Sequence, residues 1–238
     1  MRIGLPLGRT LFFLCAFLFS VAGLFPLRIA LDWLALDERG FAAREAQGSV
    51  WLGALSEAQL GVMPLGDLQA SLGTFPLLLG RARVDLTRGD AEPFEGAITV
   101  SRHSFGIDDM TGRIDSAAAL APLPITSLDL SEVSARFADG LCVSAEGSFK
   151  ANVAGDVAGL PLTGGLSGNA RCQDGALLLP LVGQTGMEAL NLRLFEDGRY
   201  EVELALRPID PAMQARLLSL GFVAGTGGAY VLRKRGAF

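Results

Sequence analysis

The only histidine in the chain, His103, sits between Ser101 and Ser104 and shortly before Asp108, the residue types of a base, a nucleophile and an orienting acid. A triad is made by spatial geometry, which closeness along a chain does not supply. A polar loop histidine is the better account of His103. Asp108 and Asp109 offer carboxylates for calcium, but the ligand spacing of a calcium loop is missing, which leaves a solvated turn. Cys142, Cys172 and His103 are too few and wrongly spaced for a closed zinc site. Gly225-Thr226-Gly227-Gly228 precedes a strand pattern, whereas a phosphate-cradling loop needs a following helix N-terminus, so it reads as a turn. Arg233-Lys234-Arg235 is basic enough to meet lipid headgroups, although a solvated strand end explains it more simply. No catalytic residue, metal ligand or cofactor site is therefore expected. Carboxylates gathered by folding would escape such a search.

The residues around these candidates set the class of protein. The 238-residue chain is 50 % hydrophobic and 19 % charged, with a formal net charge of -5. That balance excludes a broad basic surface for nucleic acid, and the apolar content excludes disorder. Thirty Gly and eleven Pro are scattered, punctuating the chain into short segments as a many-stranded fold requires.

Between Arg9 and Arg28 no residue is charged, and residues 11–25 are apolar apart from Ser20 and small residues. A run of about 18 residues is just enough for a membrane-spanning helix. Arg2 and Arg9 precede it without an acid, so the positive-inside rule keeps the tail cytoplasmic and sends the rest outward. The division expected is a cytoplasmic tail over 1–9, a signal-anchor over 10–27, a helical linker over 28–40 with Trp33 near the interface, and a periplasmic β domain over 41–238. A cleaved signal peptide ending at Ser20-Val21-Ala22 is the alternative. Cys15 lies in the apolar run, which leaves Cys142 and Cys172 as the exported pair, free to form a disulfide in an oxidising compartment.

From Phe41 the apolar period becomes two. Leu60 and Val62, Val84 and Leu86, and Ile98 and Val100 each alternate with polar or small neighbours, as half-buried strands do. The longest run places Leu141, Val143, Ala145, Phe149, Ala151 and Val153 on one face and Cys142 on the polar one, from which a disulfide would tie down a neighbouring strand or loop. Leu190, Leu192 and Leu194 lead through Glu196-Asp197-Gly198 to Tyr200, Val202, Leu204 and Leu206, a strong hairpin signal. One late helix follows, capped by Asp210, opened by Pro211 and striped by Met213, Leu217, Leu218 and Leu220 before Gly221. A last strand lies around residues 229–232. The fold class expected is all-β: a transmembrane helix, then a curved antiparallel meander or half-open roll with one late α-helix.

Several local patterns recur in a fixed order. They are Gly48-Ser49-Val50-Trp51-Leu52-Gly53 soon after the anchor, Pro64-Leu65-Gly66-Asp67-Leu68, and Pro76-Leu77-Leu78-Leu79-Gly80-Arg81. Later come Cys142 and Cys172 with Gly175, then Leu217 with Gly221-Phe222, and finally Gly228 and Tyr230. Together with the anchor, this order resembles the family of type II secretion system protein N over most of the chain outside residues 92–138. The resemblance implies an accessory inner-membrane part of the machine that exports folded proteins across the outer membrane, with other secretion components as partners and no catalytic residues. The rival is a periplasmic lipid-handling module of the AsmA and TamB type, in which a curved sheet cradles acyl chains. An unfilled apolar groove would favour that rival, whereas a packed core with an exposed sheet edge would favour partner binding. A periplasmic enzyme ranks third.

Overall fold

The computed structural model describes residues 7–33, 41–89, 93–120, 125–153, 156–157, 160–161, 165–208 and 210–237. Helix α1 (Leu7–Gly23) and helix α2 (Leu27–Trp33) open the chain. Within the span expected over 10–27 the helix is interrupted, because α1 stops at Gly23. Pro26 disfavours helical backbone at Phe25, whose carbonyl instead accepts the Val50 N–H at 3.0 Å. The 17 residues of α1 reach about 26 Å at the usual helical rise, against a hydrocarbon core of about 30 Å. Among the described residues no helix is long and apolar enough to cross a membrane. Of the expected linker, residues 28–33 are helical and 34–40 lie outside the described residues.

The alternating segments then form strands β1 (Phe41–Ala42), β2 (Glu45–Ser49), β3 (Leu52–Leu60), β4 (Met63–Leu72), β5 (Ala82–Arg88), β6 (Phe94–Val100), β7 (Ser104–Asp115), β8 (Ile125–Ala138) and β9 (Leu141–Val153). The minor strands β10 (Asp156–Val157) and β11 (Leu160–Pro161) form a separate ribbon. The remainder are β12 (Leu166–Asn169), β13 (Arg171–Gln173), β14 (Ala176–Gly183), β15 (Glu188–Leu194), β16 (Arg199–Leu206), β17 (Val223–Ala224) and β18 (Tyr230–Ala237). Short helices α3 (Thr74–Leu78) and α4 (Ala117–Leu120) interrupt the series, and α5 (Pro211–Ser219) precedes β17. All but the ribbon belong to one open 16-stranded antiparallel sheet, a meander from β3 through β9 that continues as β12-β14-β15-β16-β18-β17.

Period-two burial is cleanest in β15 and β16, whereas β14 is buried without alternation from Ala176 to Leu179. Leu177, Leu179 and Leu181 stand opposite Leu194, Leu192 and Leu190, which stand opposite Tyr200, Val202 and Leu204. Leu204 and Leu206 in turn oppose Leu232 and Tyr230. The turn between β15 and β16 closes as expected, with Gly198 at φ +79° and the Phe195 N–H donating to the Arg199 carbonyl at 3.0 Å. Helix α5 is capped by the Asp210 carboxylate, which accepts from the Ala212 N–H. Its stripe is narrower than expected, since Leu217 is fully buried while Leu218 and Leu220 are exposed.

The middle of the sheet is governed by bulges. Glu57, Asp109 and Glu132 all have φ near +50°, and each N–H is accepted by a side chain of the facing strand: Asp67 Oδ1 at 2.8 Å, Ser134 Oγ at 2.9 Å and Thr111 Oγ1 at 3.0 Å. Each sits at a shift in strand register. A bulge inserts one residue, reverses the inward parity beyond it and strengthens twist. Accordingly β4 comes within 8 Å of β7 although β5 and β6 lie between them in the sheet, so the meander curls. Three expectations change in the structure. Asp108 and Asp109 lie within β7 rather than in a turn. Val62 occupies the tight β3–β4 turn and is exposed. Beyond the shift between Arg136 and Phe137, Leu141 and Val143 face solvent while Cys142 turns into the core.

Candidate interaction surfaces

The residues singled out for chemistry do not converge. His103 is exposed, its Nδ1 3.9 Å from an Asp139 carboxylate oxygen. Asp108 accepts from Arg83 Nη1 at 2.9 Å and Thr99 Oγ1 at 2.6 Å, a cross-strand ion-pair network with Asp85. No group of three metal-ligating side chains occurs among the described residues. Asp129 accepts from Arg113 Nε at 2.7 Å and from Asn152 Nδ2 at 2.8 Å, and the Arg113 guanidinium holds its carboxyl below the ordinary range. These contacts stitch β7, β8 and β9 together on the polar face. Gly225-Thr226-Gly227-Gly228 is a turn between β17 and β18.

Cys142 and Cys172 are joined, with Cα atoms 5.4 Å apart. The bond ties the start of β9 to the three-residue β13, and the Cys142 N–H donates to the Gly175 carbonyl at 2.8 Å. Contrary to the polar-face expectation, Cys142 is only 8 % exposed and packs with the core.

The Gly48–Gly53 segment builds the junction between helix and sheet. Ser49 pairs with Leu52, leaving Val50 and Trp51 as the two-residue turn of the β2–β3 hairpin. Gly48 has φ +83°, and a Cβ there would press on the Leu52 carbonyl, so glycine is required. Gly53 lies directly against the Leu27 side chain of α2, where a Cβ would clash. Trp51 Nε1 donates to the Ala22 carbonyl of α1 at 2.8 Å. Val50 is buried, takes the Phe25 carbonyl and gives its own to the Leu72 N–H at 3.0 Å. One hairpin turn thus gathers α1, α2 and the end of β4.

The other marked residues lie apart from this junction. Pro64 opposes Gln59 near the outer end of the β3–β4 hairpin, Gly66 at φ +77° opposes Ala58, and Asp67 holds the Glu57 bulge. Gly80, at φ +72°, closes the turn after α3. Gly221, at φ +89°, ends α5 toward the far edge of the sheet, where Tyr230 Oη lies 3.3 Å from Gln214 Oε1. They are supports of turns and bulges at separate places, and the fold does not collect them into one pocket. A family model described as type II secretion system (T2SS), protein N, matches residues 39–233. The chain belongs to this family. The match begins after α1 and α2 and takes in the junction hairpin, the bulge-holding Asp67, both cysteines, α5 and part of β18. Comparison with curated proteins returns no match, and none is found among solved structures.

Two features invisible to the sequence patterns complete the surface of this family member. Strand β17 covers β18 only at Tyr230 and Val231. Among the described residues the edge of 232–237 has no strand beyond it. Arg233 and Arg235 on that strand pair with Glu203 and Glu201 at 2.7 and 2.9 Å. The second feature is an open depression of about 510 Å³ over β5–β9, lined by Arg81, Arg83, Asp108, Arg136 and Glu146 and overhung by Phe75 and Leu79. Its lining is charged and already internally paired at Arg83 and Asp108. Glycines inside strand patterns, such as Gly96, Gly112 and Gly147, were the available sign of the bulges that shape this region.

Proposed function

We propose that the chain is an accessory, protein-interacting component of the type II secretion system, working in the export of folded proteins across the outer membrane. Family membership carries this reading. In it, residues 10–27 anchor the chain in the inner membrane in a single pass, residues 1–9 stay in the cytoplasm, 28–40 link, and 41–238 stand in the periplasm. Arg2 and Arg9 ahead of the apolar run support that orientation. The side chains of residues 10–24 are exposed on every face of α1, and a helix apolar all round is at home in lipid when no core takes it. The disulfide suits an oxidising compartment.

The partners are other secretion components. Side chains fill the inner face of the sheet, which favours partner binding over lipid carriage. The uncovered edge of β18 offers main-chain groups for an added strand. A deletion strain tests this reading: folded cargo should be trapped in the periplasm behind an intact outer membrane. Normal export with altered outer-membrane lipid would overturn it and promote the lipid-handling rival.

A further inference from the structure

Between β4 and β5 the chain makes a compact loop that leaves large apolar residues exposed. Helix α3 buries none of its residues, and Phe75, Leu78 and Leu79 are 71 %, 83 % and 66 % exposed. The loop is nevertheless tightly built. Leu79 N–H and Arg81 N–H both donate to the Pro76 carbonyl at 3.0 Å, Gly80 N–H donates to Leu77, and Gly73 N–H reaches across to Arg83 at 2.8 Å. A fixed loop that spends its backbone order on holding large apolar side chains in water requires something to cover them.

Its position says what. Leu72, two residues before α3, donates to Val50, and Val50 in turn donates to Phe25, each at 3.0 Å, while Trp51 donates to Ala22. The loop and the C-terminal end of α1 are therefore joined through one hairpin turn, at the same end of the β3–β4 hairpin. Leu24, at that helix end, is itself 75 % exposed. Arg28 and Arg81 are exposed beside the two apolar elements, with Asp32 on α2, and on the sheet side of the loop Arg83 and Arg136 are balanced by Asp108, Asp109 and Glu146. Exposed apolar side chains held at the same end of the sheet as an apolar helix match the acyl boundary of a bilayer surface, and Arg28 and Arg81 lie where headgroup phosphates would meet them.

We propose that the loop carrying Phe75, Leu78 and Leu79 is a second membrane contact, inserted into the outer leaflet of the same bilayer that holds α1. Two contacts, one spanning and one interfacial, fix the tilt of the sheet at the membrane, which a single helix would leave free. The inference rests on the anchor proposed above.

The test uses the full chain in vesicles of phosphatidylethanolamine and phosphatidylglycerol, labelled singly with an environment-sensitive fluorophore. Native Cys15, the free cysteine, reports on the anchor. In a Cys15→Ser background, Leu78→Cys reports on the loop. Val62→Cys reports on an equally apolar, exposed site at the other end of the β3–β4 hairpin, about 30 Å away along the strands. The expected result at 78 is a blue shift, quenching by lipids spin-labelled high on the acyl chain, and loss of iodide access, with the label at 62 remaining in water. If Cys15 is shielded by lipid while 78 is as open to iodide as 62, the loop proposal fails and the anchor stands. If Cys15 itself is open to iodide, the anchor reading fails and takes this proposal with it. Shielding at 78 without quenching by lipid, lost when the protein is diluted in the vesicles, would mean that a second copy covers the loop and would also overturn it.

Discussion

Replacing both exported cysteines, as Cys142→Ala with Cys172→Ala, probes how much of the stability rests on one covalent tie. The cysteines are 30 residues apart in sequence. Closing a loop of that size removes denatured-state entropy worth about 3 to 4 kcal/mol at 25 °C. The native state has little to lose by comparison. Strand β13 remains paired with β14 at three positions, and the Cys142 N–H still donates to Gly175. The effect is therefore expected through the unfolded chain, with a small addition from the void at buried Cys142. For a chain of this size the urea dependence lies near the upper end of the usual range, about 3 kcal/mol per molar. The double variant should unfold at roughly 1 M lower urea, followed by far-UV circular dichroism of the full chain in detergent. Reduced native protein should unfold at the variant's midpoint. A midpoint within about 0.3 M of the oxidised native protein would refute the reasoning, because it would mean that the denatured chain is already compact around these residues.

Two other substitutions test the packing and the polar face. Leu217→Ala removes the one side chain of α5 that is fully buried and should cost about 2 to 5 kcal/mol, whereas Leu218→Ala at an exposed position should leave thermal unfolding nearly unchanged. Asp129 has a folded-state pKa lowered from 3.8, chiefly by its hydrogen bond from Arg113. Its contribution is thus complete above pH 3.8 and lost as pH falls through the lower folded value. Asp129→Asn should be less stable than the native protein at pH 7, and the gap in melting temperature should close below pH 4. A gap that persists unchanged into acid would count against the ion pair.

What the amino-acid order determined by itself was local. The alternation of residues 190–206 about Asp197-Gly198 sets a hairpin because side-chain parity and turn chemistry are both written in neighbouring residues. Asp210 and Pro211 set the start of α5 in the same way. Cysteine count and the apolar N-terminal run single out the disulfide pair. The inward or outward direction of a strand residue was not settled locally wherever a bulge intervened. Glu57, Asp109 and Glu132 each take a left-handed conformation whose N–H is satisfied only by a residue on another strand, and that partner decides where parity flips. A further shift between Arg136 and Phe137 buries Cys142 while Leu141 and Val143 are exposed. Exposure of Leu218 and Leu220, the docking of Trp51 on Ala22, the apolar loop of α3 and the open edge of β18 likewise depend on what lies beside them in space. A helical or alternating pattern says which residues share a face, but only the assembled sheet decides whether anything covers it.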